Sequence, residues 1–358
     1  LAPIVLAMVG VGVAVWQLRE IRERHTLIRA GVMLAICLGG GSLATAFVRL
    51  PVSMDAVRQS LADAAFLSLG GLLCAGIILF ILPLLERAFD ITTGLTLIEL
   101  RDPKHPLLRE LQQRAPGTYN HSLNVAAISE AAADAIGADS LLTYVGCLYH
   151  DVGKMTKPEY FVENQGGGPN KHDRLSPAMS LLVIVGHVKD GLEMAKQHAL
   201  PRAIEHFIEA HHGTTLVEFF YRRAVEQAKG DGGDSIPEEL AYRYPGPKPR
   251  SREVAIAMLA DAVESATRTL HEPTPSRIDA LVRTLANKRL MDGQFDDCDL
   301  TLKQLQAIVE SVSKSVSAIY HGRIAYPGGG SAAKKKTTAP GVAPTDAAAA
   351  PPAETRAA

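Results

Sequence analysis

His150-Asp151-Val152-Gly153-Lys154 closes a stretch that opens at Asp139, a helix N-cap ahead of Leu141, Leu142, Val145 and Leu148. An imidazole and a carboxylate side by side at a helix end can both reach a metal, and the two oxygens of Asp151 allow it to bridge two ions. The dipeptide alone arises often by chance, so its surroundings decide. His121 lies 29 residues upstream, and His187, the pair His211-His212 and Asp261 follow. His121 shares a helical face with Val125, Ile128 and Ala132, His211 with Ile204 and Ile208, and Asp261 with Val254 and Met258. A carboxylate on an apolar stripe must be paired, protonated or bound to metal, because burying it bare is prohibitive. Any one of these histidines reads equally well as a satisfied core or helix-end residue; all seven residues together are better explained by a shared metal site. Imidazole and carboxylate without thiolate suit iron, manganese, cobalt or zinc, and do not suit copper(I).

The surrounding chain is helical. Ser176-Pro177 and Leu200-Pro201 each put proline at a first helical position, and Gly213 stops the second of these helices. Thr301-x-x-Gln304 is a capping box before an apolar stripe at Leu305, Ile308, Val309, Val312, Val316 and Ile319. No run alternates as a strand does, so residues 118–325 read as an all-α domain. Upstream, Ile91 to Pro116 carries the charges and prolines of a juxtamembrane linker with one short helix. After Pro327 the composition falls to Gly, Ala, Pro, Thr and Lys, a disordered tail.

Three charge-free apolar runs, Ala2–Leu18, Gly31–Val48 and Ala64–Leu85, each approach the roughly 17–25 residues that span a bilayer. A buried core hairpin or a signal peptide accounts poorly for three such runs with no cleavage pattern after the first. The arginine-rich loop from Arg19 to Arg29 belongs in the cytoplasm by the positive-inside rule, and so does everything after Glu86. The chain starts at Leu1 and its first apolar run starts almost at once, from which we expect an amino-terminal part of a longer membrane protein ahead of it. The organisation expected is 1–85 three transmembrane helices, 86–116 linker, 117–326 an all-α domain holding the metal site and 327–358 tail. With 37 Lys+Arg against 38 Asp+Glu there is no basic field for nucleic acid. Four scattered cysteines without a CxxC exclude a disulfide scaffold and a thiolate zinc knuckle.

The order His121, His150-Asp151, Asp261 is similar to the H…HD…D signature of HD-domain metal-dependent phosphohydrolases, and His187 with His211-His212 resembles the subgroup with two metals. Ala115-Pro116-Gly117-Thr118-Tyr119-Asn120-His121-Ser122, His187-Val188-Lys189-Asp190-Gly191 and His211-His212-Gly213-Thr214-Thr215 resemble the membrane-anchored seven-transmembrane HD phosphodiesterases, which cleave cyclic di-AMP. The resemblance covers about residues 64–326, through the closing Ile319-Tyr320-His321-Gly322-Arg323. It implies an all-α HD fold and two divalent transition metals, manganese or iron. His121, His150, Asp151 and Asp261 would hold one ion, and Asp151, His187, His211 and His212 the other. The activity implied is hydrolysis of cyclic di-AMP to linear 5′-phosphorylated di-adenylate by a hydroxide that two metals activate.

Asp151 and Lys154 are then the catalytic candidates, and Lys154 and Thr214 (with Thr215 beside it) the substrate contacts. Asn170, Lys171, His172 and Arg174 lie in a glycine-rich loop able to cover the site. Partners implied are the cyclic dinucleotide, the lipid bilayer, an amino-terminal sensor and membrane domain, and a second copy in a homodimer. The location implied is the cell membrane, multi-pass, with the HD domain in the cytoplasm. Two departures stand out: three membrane helices replace seven with no extracytoplasmic sensor, and Lys229–Pro249 is a long Gly- and Pro-rich loop remote in sequence from every ligand.

Two other readings compete. A cyclic di-GMP phosphodiesterase has an acidic residue and Gly-Tyr-Pro after the paired histidines, where this chain has Gly213-Thr214-Thr215-Leu216 and only a displaced Tyr244-Pro245-Gly246. A membrane receptor that binds nucleotide without hydrolysis loses ligands first, and here all seven are intact. The topology has a direct test: a cysteine at position 55 is expected to label only from outside the cell, and labelling solely from the cytoplasmic face contradicts the orientation.

Overall fold

The computed structural model describes residues 2–17, 24–48, 53–166, 168–230 and 236–321. The charged segment at 19–23 and the tail expected at 327–358 lie outside them. The apolar runs form α1 (Ala2–Gln17), α2 (Arg24–Phe47) and α3 (Met54–Phe89). Two of these are long and apolar enough to cross a membrane, over Ile28–Ala46 and Met54–Glu86; α1 is 16 residues long. Phe66 and Phe80 are each 77% exposed, an apolar surface that the protein itself leaves uncovered. Small residues bring α2 and α3 together: Gly31 faces Ala75, Gly71 faces the Ala35 backbone, and Ser68 Oγ donates to Ala35 O at 3.0 Å. At 36 residues α3 is about 54 Å long, well beyond a hydrocarbon core.

Past α3 the chain is an all-helical unit. It comprises α4 (Gly94–Arg101), α5 (Pro106–Arg114), α6 (Pro116–Ile136), α7 (Ser140–Tyr149), α8 (Pro177–Gln197), α9 (Arg202–Ala210), α10 (Glu218–Gly230), α11 (Arg252–Thr267), α12 (Pro275–Met291) and α13 (Leu302–His321). Short 3-10 turns fill the stretch between α7 and α8. Among the described residues there is no strand, only an isolated bridge between Leu216 and Arg243. The expected caps form: Asp139 accepts from the Leu142 N–H at 2.9 Å and Ser176 from the Met179 N–H at 3.2 Å. Thr301 and Gln304 cap each other, and Leu305, Ile308, Val309, Val312 and Val316 are buried below them. Pro201 stands one position earlier than expected, as the N-cap of α9.

The segment read as a linker differs most. It holds two helices, and Leu97, Leu100, Leu107, Leu108 and Leu111 belong to the main core. Its prolines are helix punctuation: Pro106 occupies the first turn of α5, where no N–H is needed, after a turn closed by the His105 N–H on Asp102 O at 2.9 Å. Tyr149 at the end of α7 donates to Leu100 O at 2.8 Å, tying α4 to the strip that carries His150. Glu86 of α3 accepts from Thr93 and, at 2.9 Å, from Thr96, and Asp90 pairs with Arg202 of α9 at 3.2 Å. The end of α3 is thereby joined to α4 and to the start of α9.

A fragment beginning at Ile91 should therefore melt cooperatively, whereas one beginning at Gly117 loses five buried leucines and melts far lower or aggregates. Leu107→Ala alone should cost about 2–5 kcal/mol. Equal melting temperatures for the two fragments would show that α4 and α5 are only a tether.

Candidate metal centre

Five helices converge on Asp151. α6 brings His121, the end of α7 His150 and Asp151, α8 His187, the end of α9 His211 and His212, and α11 Asp261. All but His212 are buried, and His212 is half-buried. The two Asp151 oxygens face opposite sets. Oδ2 lies 3.2 Å from His150 Nε2 and 3.5 Å from His121 Nε2, and Asp261 Oδ1 lies 3.0 Å from His121 Nε2. Oδ1 lies 3.4 Å from His187 Nε2 and 3.6 Å from His211 Nε2. Two groups able to hold an ion result, His121–His150–Asp151–Asp261 and Asp151–His187–His211–His212, with the donor atoms of each group within 4.8 Å of one another.

Local backbone acceptors aim the rings. His150 Nδ1 donates to Cys147 O at 2.6 Å, His187 Nδ1 to Ile184 O at 2.5 Å and His211 Nδ1 to Phe207 O at 2.9 Å. Each bond reaches back one helical turn and leaves Nε2 pointing inward, the atom a metal would take. His121 is aimed by Glu264, whose Oε2 stands 2.6 Å from Nδ1 and whose Oε1 is held by Arg268 and Asn124. The fit to metal rests on donor atoms left without a hydrogen bond: His150 Nε2 and Asp151 Oδ1 are buried and unbonded, and Oδ2 has only the Lys154 ammonium beside it. Such groups are expensive unless something binds them. The backbone approach matters too, since a Cβ on Gly153 would meet His187 O at 1.9 Å and Gly191 N at 2.5 Å. Only glycine lets the turn after Asp151 seat against α8.

Charge divides the centre. Burial works against ionisation of Asp151 and Asp261, but His150 and Lys154 around the first, and His121 and His150 around the second, hold both carboxyls well below their usual range. Burial also opposes a charged His150, yet Asp151 and Asp261 outweigh it and push it up to about 10. On the other side burial, helped by His211, takes His187 down to about 4 and His212 well down, so these rings are neutral as ligands must be.

Lys154 Nζ stands 2.7 Å from Asp151 Oδ2 and donates to Glu163 Oε1 at 3.1 Å. Burial opposes its charge, but Asp151 and Glu163 raise its pKa. Thr118 Oγ1 donates to Glu163 at 3.1 Å and holds that carboxylate in place. Thr214 is engaged by Gln294, which accepts from its N–H and donates to its Oγ1, both at 2.9 Å, and Thr215 Oγ1 donates to His212 O. In the glycine-rich loop His172 packs on Phe220 and bonds Tyr160 O, in a separate small cluster and not among the seven.

The loop remote in sequence does reach the centre: the Tyr244 ring stacks on His212 with centroids 4.3 Å apart. No spacing signals that contact. Glu264 had a signal, three residues past Asp261 on the same face of α11. Glu163 and Gln294 had none.

The HD domain family matches residues 118–266, and the family described as "7TM receptor with intracellular HD hydrolase" matches residues 1–93. The cyclic-di-AMP phosphodiesterase PgpH of Bacillus subtilis (strain 168) is 42% identical over 294 residues, 80% of this chain and 40% of the relative. The protein of the same name from Listeria monocytogenes serotype 1/2a (strain 10403S) is 39% identical over 316 residues, 88% of this chain and 43% of the relative. The chain thus spans about two fifths of the length of these relatives. A crystal structure of the L. monocytogenes PgpH HD domain in complex with cyclic-di-AMP aligns with a TM-score of 0.58 at 45% identity, over 61% of this chain and all of that one.

Asp151→Ala should lower metal content towards one ion or none per chain, because both groups lose their shared member. His187→Ala should spare the ion on the His121 side. Elemental analysis of purified variants checks both, and an Asp151→Ala protein that keeps two ions contradicts the shared carboxylate.

Proposed function

The chain belongs to the membrane-protein family of 7TM receptors with an intracellular HD hydrolase, and on that footing we propose that it hydrolyses cyclic di-AMP to linear 5′-phosphorylated di-adenylate. The observation that carries this reading is the Asp151 carboxylate standing between two histidine groups that share no other residue. His121, His150, Asp151 and Asp261 would hold one divalent ion and Asp151, His187, His211 and His212 the other, manganese or iron in both places. Bound there, two ions supply an activated water and neutralise the phosphoryl oxygens.

The residues of the chain do the rest. Asp151 fixes the two halves of the centre in register through its two oxygens. Lys154, anchored on Glu163, offers an ammonium beside the carboxylate and stabilises charge as it builds on the phosphoryl group. Thr214 keeps its backbone and hydroxyl in a fixed orientation through Gln294 and borders the substrate. In the net reaction the oxygen of one water joins phosphorus, the 3′ oxygen leaves with a proton, and a 5′ phosphate remains. The apolar helices support a multi-pass position in the cell membrane, with the HD unit in the cytoplasm. Proposed partners are the bilayer, an amino-terminal sensor and membrane domain, and a second copy in a homodimer.

Purified chain with Mn²⁺ in oxygen-18 water should release a dinucleotide labelled on its 5′ phosphate alone; a 3′ phosphate product would reverse the direction of attack. Lys154→Ala should keep its metal and lose about 10²-fold in kcat. An unchanged kcat would reduce Lys154 to a structural partner of Asp151 and Glu163.

A further inference from the structure

A cleft of about 280 Å³ lies between the end of α12 and the segment that follows the paired histidines, walled by Leu216, Glu218, Arg243, Lys288, Arg289 and Asp292. It is too small for a whole dinucleotide, since pockets for molecules of that size run to roughly 300–1,000 Å³, but ample for one phosphate and its ribose. Three cations face it, and two are already spent. Arg243 donates to the two oxygens of Asp292 at 2.9 and 3.1 Å and to Glu239 at 2.7 Å. Lys288 is paired with Glu218.

Arg289 differs. Among the described residues no hydrogen bond or ion pair engages its guanidinium, and its Nε is buried without an acceptor. Burial draws its pKa down, and the carboxylates of Asp261 and Asp292 act on it through space without bonding to it. It is also close to the centre: Asp261 and Tyr244 lie within its electrostatic reach, and the Tyr244 ring covers His212. A planar guanidinium with its fork of donors selects an oxyanion that can accept two parallel bonds, above all a phosphate.

A cyclic dinucleotide carries two phosphodiesters. If one sits among Asp151, Asp261 and Lys154, the other remains an anion that must be desolvated nearby, outside the metal groups. We propose that Arg289 receives this second, uncleaved phosphate and so sets the preference for cyclic dinucleotides over diesters with a single phosphate. The assignment rests on the substrate reading given above. It leaves Arg289 with no part in the bond cleavage and makes it a specificity-determining contact.

The test compares two substrates in the full chain in detergent with Mn²⁺: cyclic di-AMP, and bis(p-nitrophenyl) phosphate, which has no second phosphate. Arg289→Ala should lower the ratio of kcat/KM for cyclic di-AMP to that for the single-phosphate diester by about 10- to 100-fold, the worth of a charge-assisted contact. Arg289→Lys should recover part of that ratio, because it restores charge without the fork. If both substrates lose activity in parallel in both variants, Arg289 holds the fold and the proposal fails. If the ratio is unmoved in a chain that hydrolyses cyclic di-AMP, Arg289 meets no phosphate and the proposal fails while the substrate reading stands. A wild-type chain that cleaves the simple diester and leaves cyclic di-AMP intact overturns both.

Discussion

A carboxylate at the meeting point of five helices is tolerable only if its charge is answered, and the centre is organised around answering that of Asp151. Four histidine nitrogens stand 3.2–3.6 Å from its two oxygens, and the Lys154 ammonium pairs with Oδ2 at 2.7 Å. The rings of His150, His187 and His211 are turned inward by carbonyls one turn back on their own helices, with Nε2 facing Asp151. Asp151 and Asp261 remain ionised in spite of burial, which makes the centre a trap for cations and a poor place for an apolar guest.

The scaffold is arranged to hold these ends in register. Gly153 and Gly191 remove the side chains that would otherwise separate the turn after Asp151 from α8. α4 and α5 close the core beneath α7, and Tyr149 links the two. α3 in turn is joined to α4 through Glu86 and to α9 through the exposed pair of Asp90 and Arg202. α7 carries His150 and Asp151, and α9 carries His211 and His212, one set for each side.

Residues with a helical period were legible in the sequence. His121, His187, His211 and Asp261 sit on inner stripes of amphipathic helices, and the structure brings all seven candidates together. The proline-rich segment after α3 was misread because Pro103 and Pro106 mark helix starts and turns as readily as loops, while the leucines on either side of them have too short a run to declare a period. Tyr244 was invisible for a different reason: a loop has no period, and its path over His212 is set by tertiary packing. Nothing in the sequence marks Arg289; its buried Nε without an acceptor, beside the paired Arg243 and Lys288, sets it apart.

All of this depends on Asp151 being shared. Crystals grown with manganese and measured on both sides of its absorption edge test that most directly. The account predicts two anomalous peaks per chain, one beside each oxygen of Asp151, the first also touching His121, His150 and Asp261 and the second His187, His211 and His212. A single peak, or two peaks of which neither touches Asp151, would contradict it.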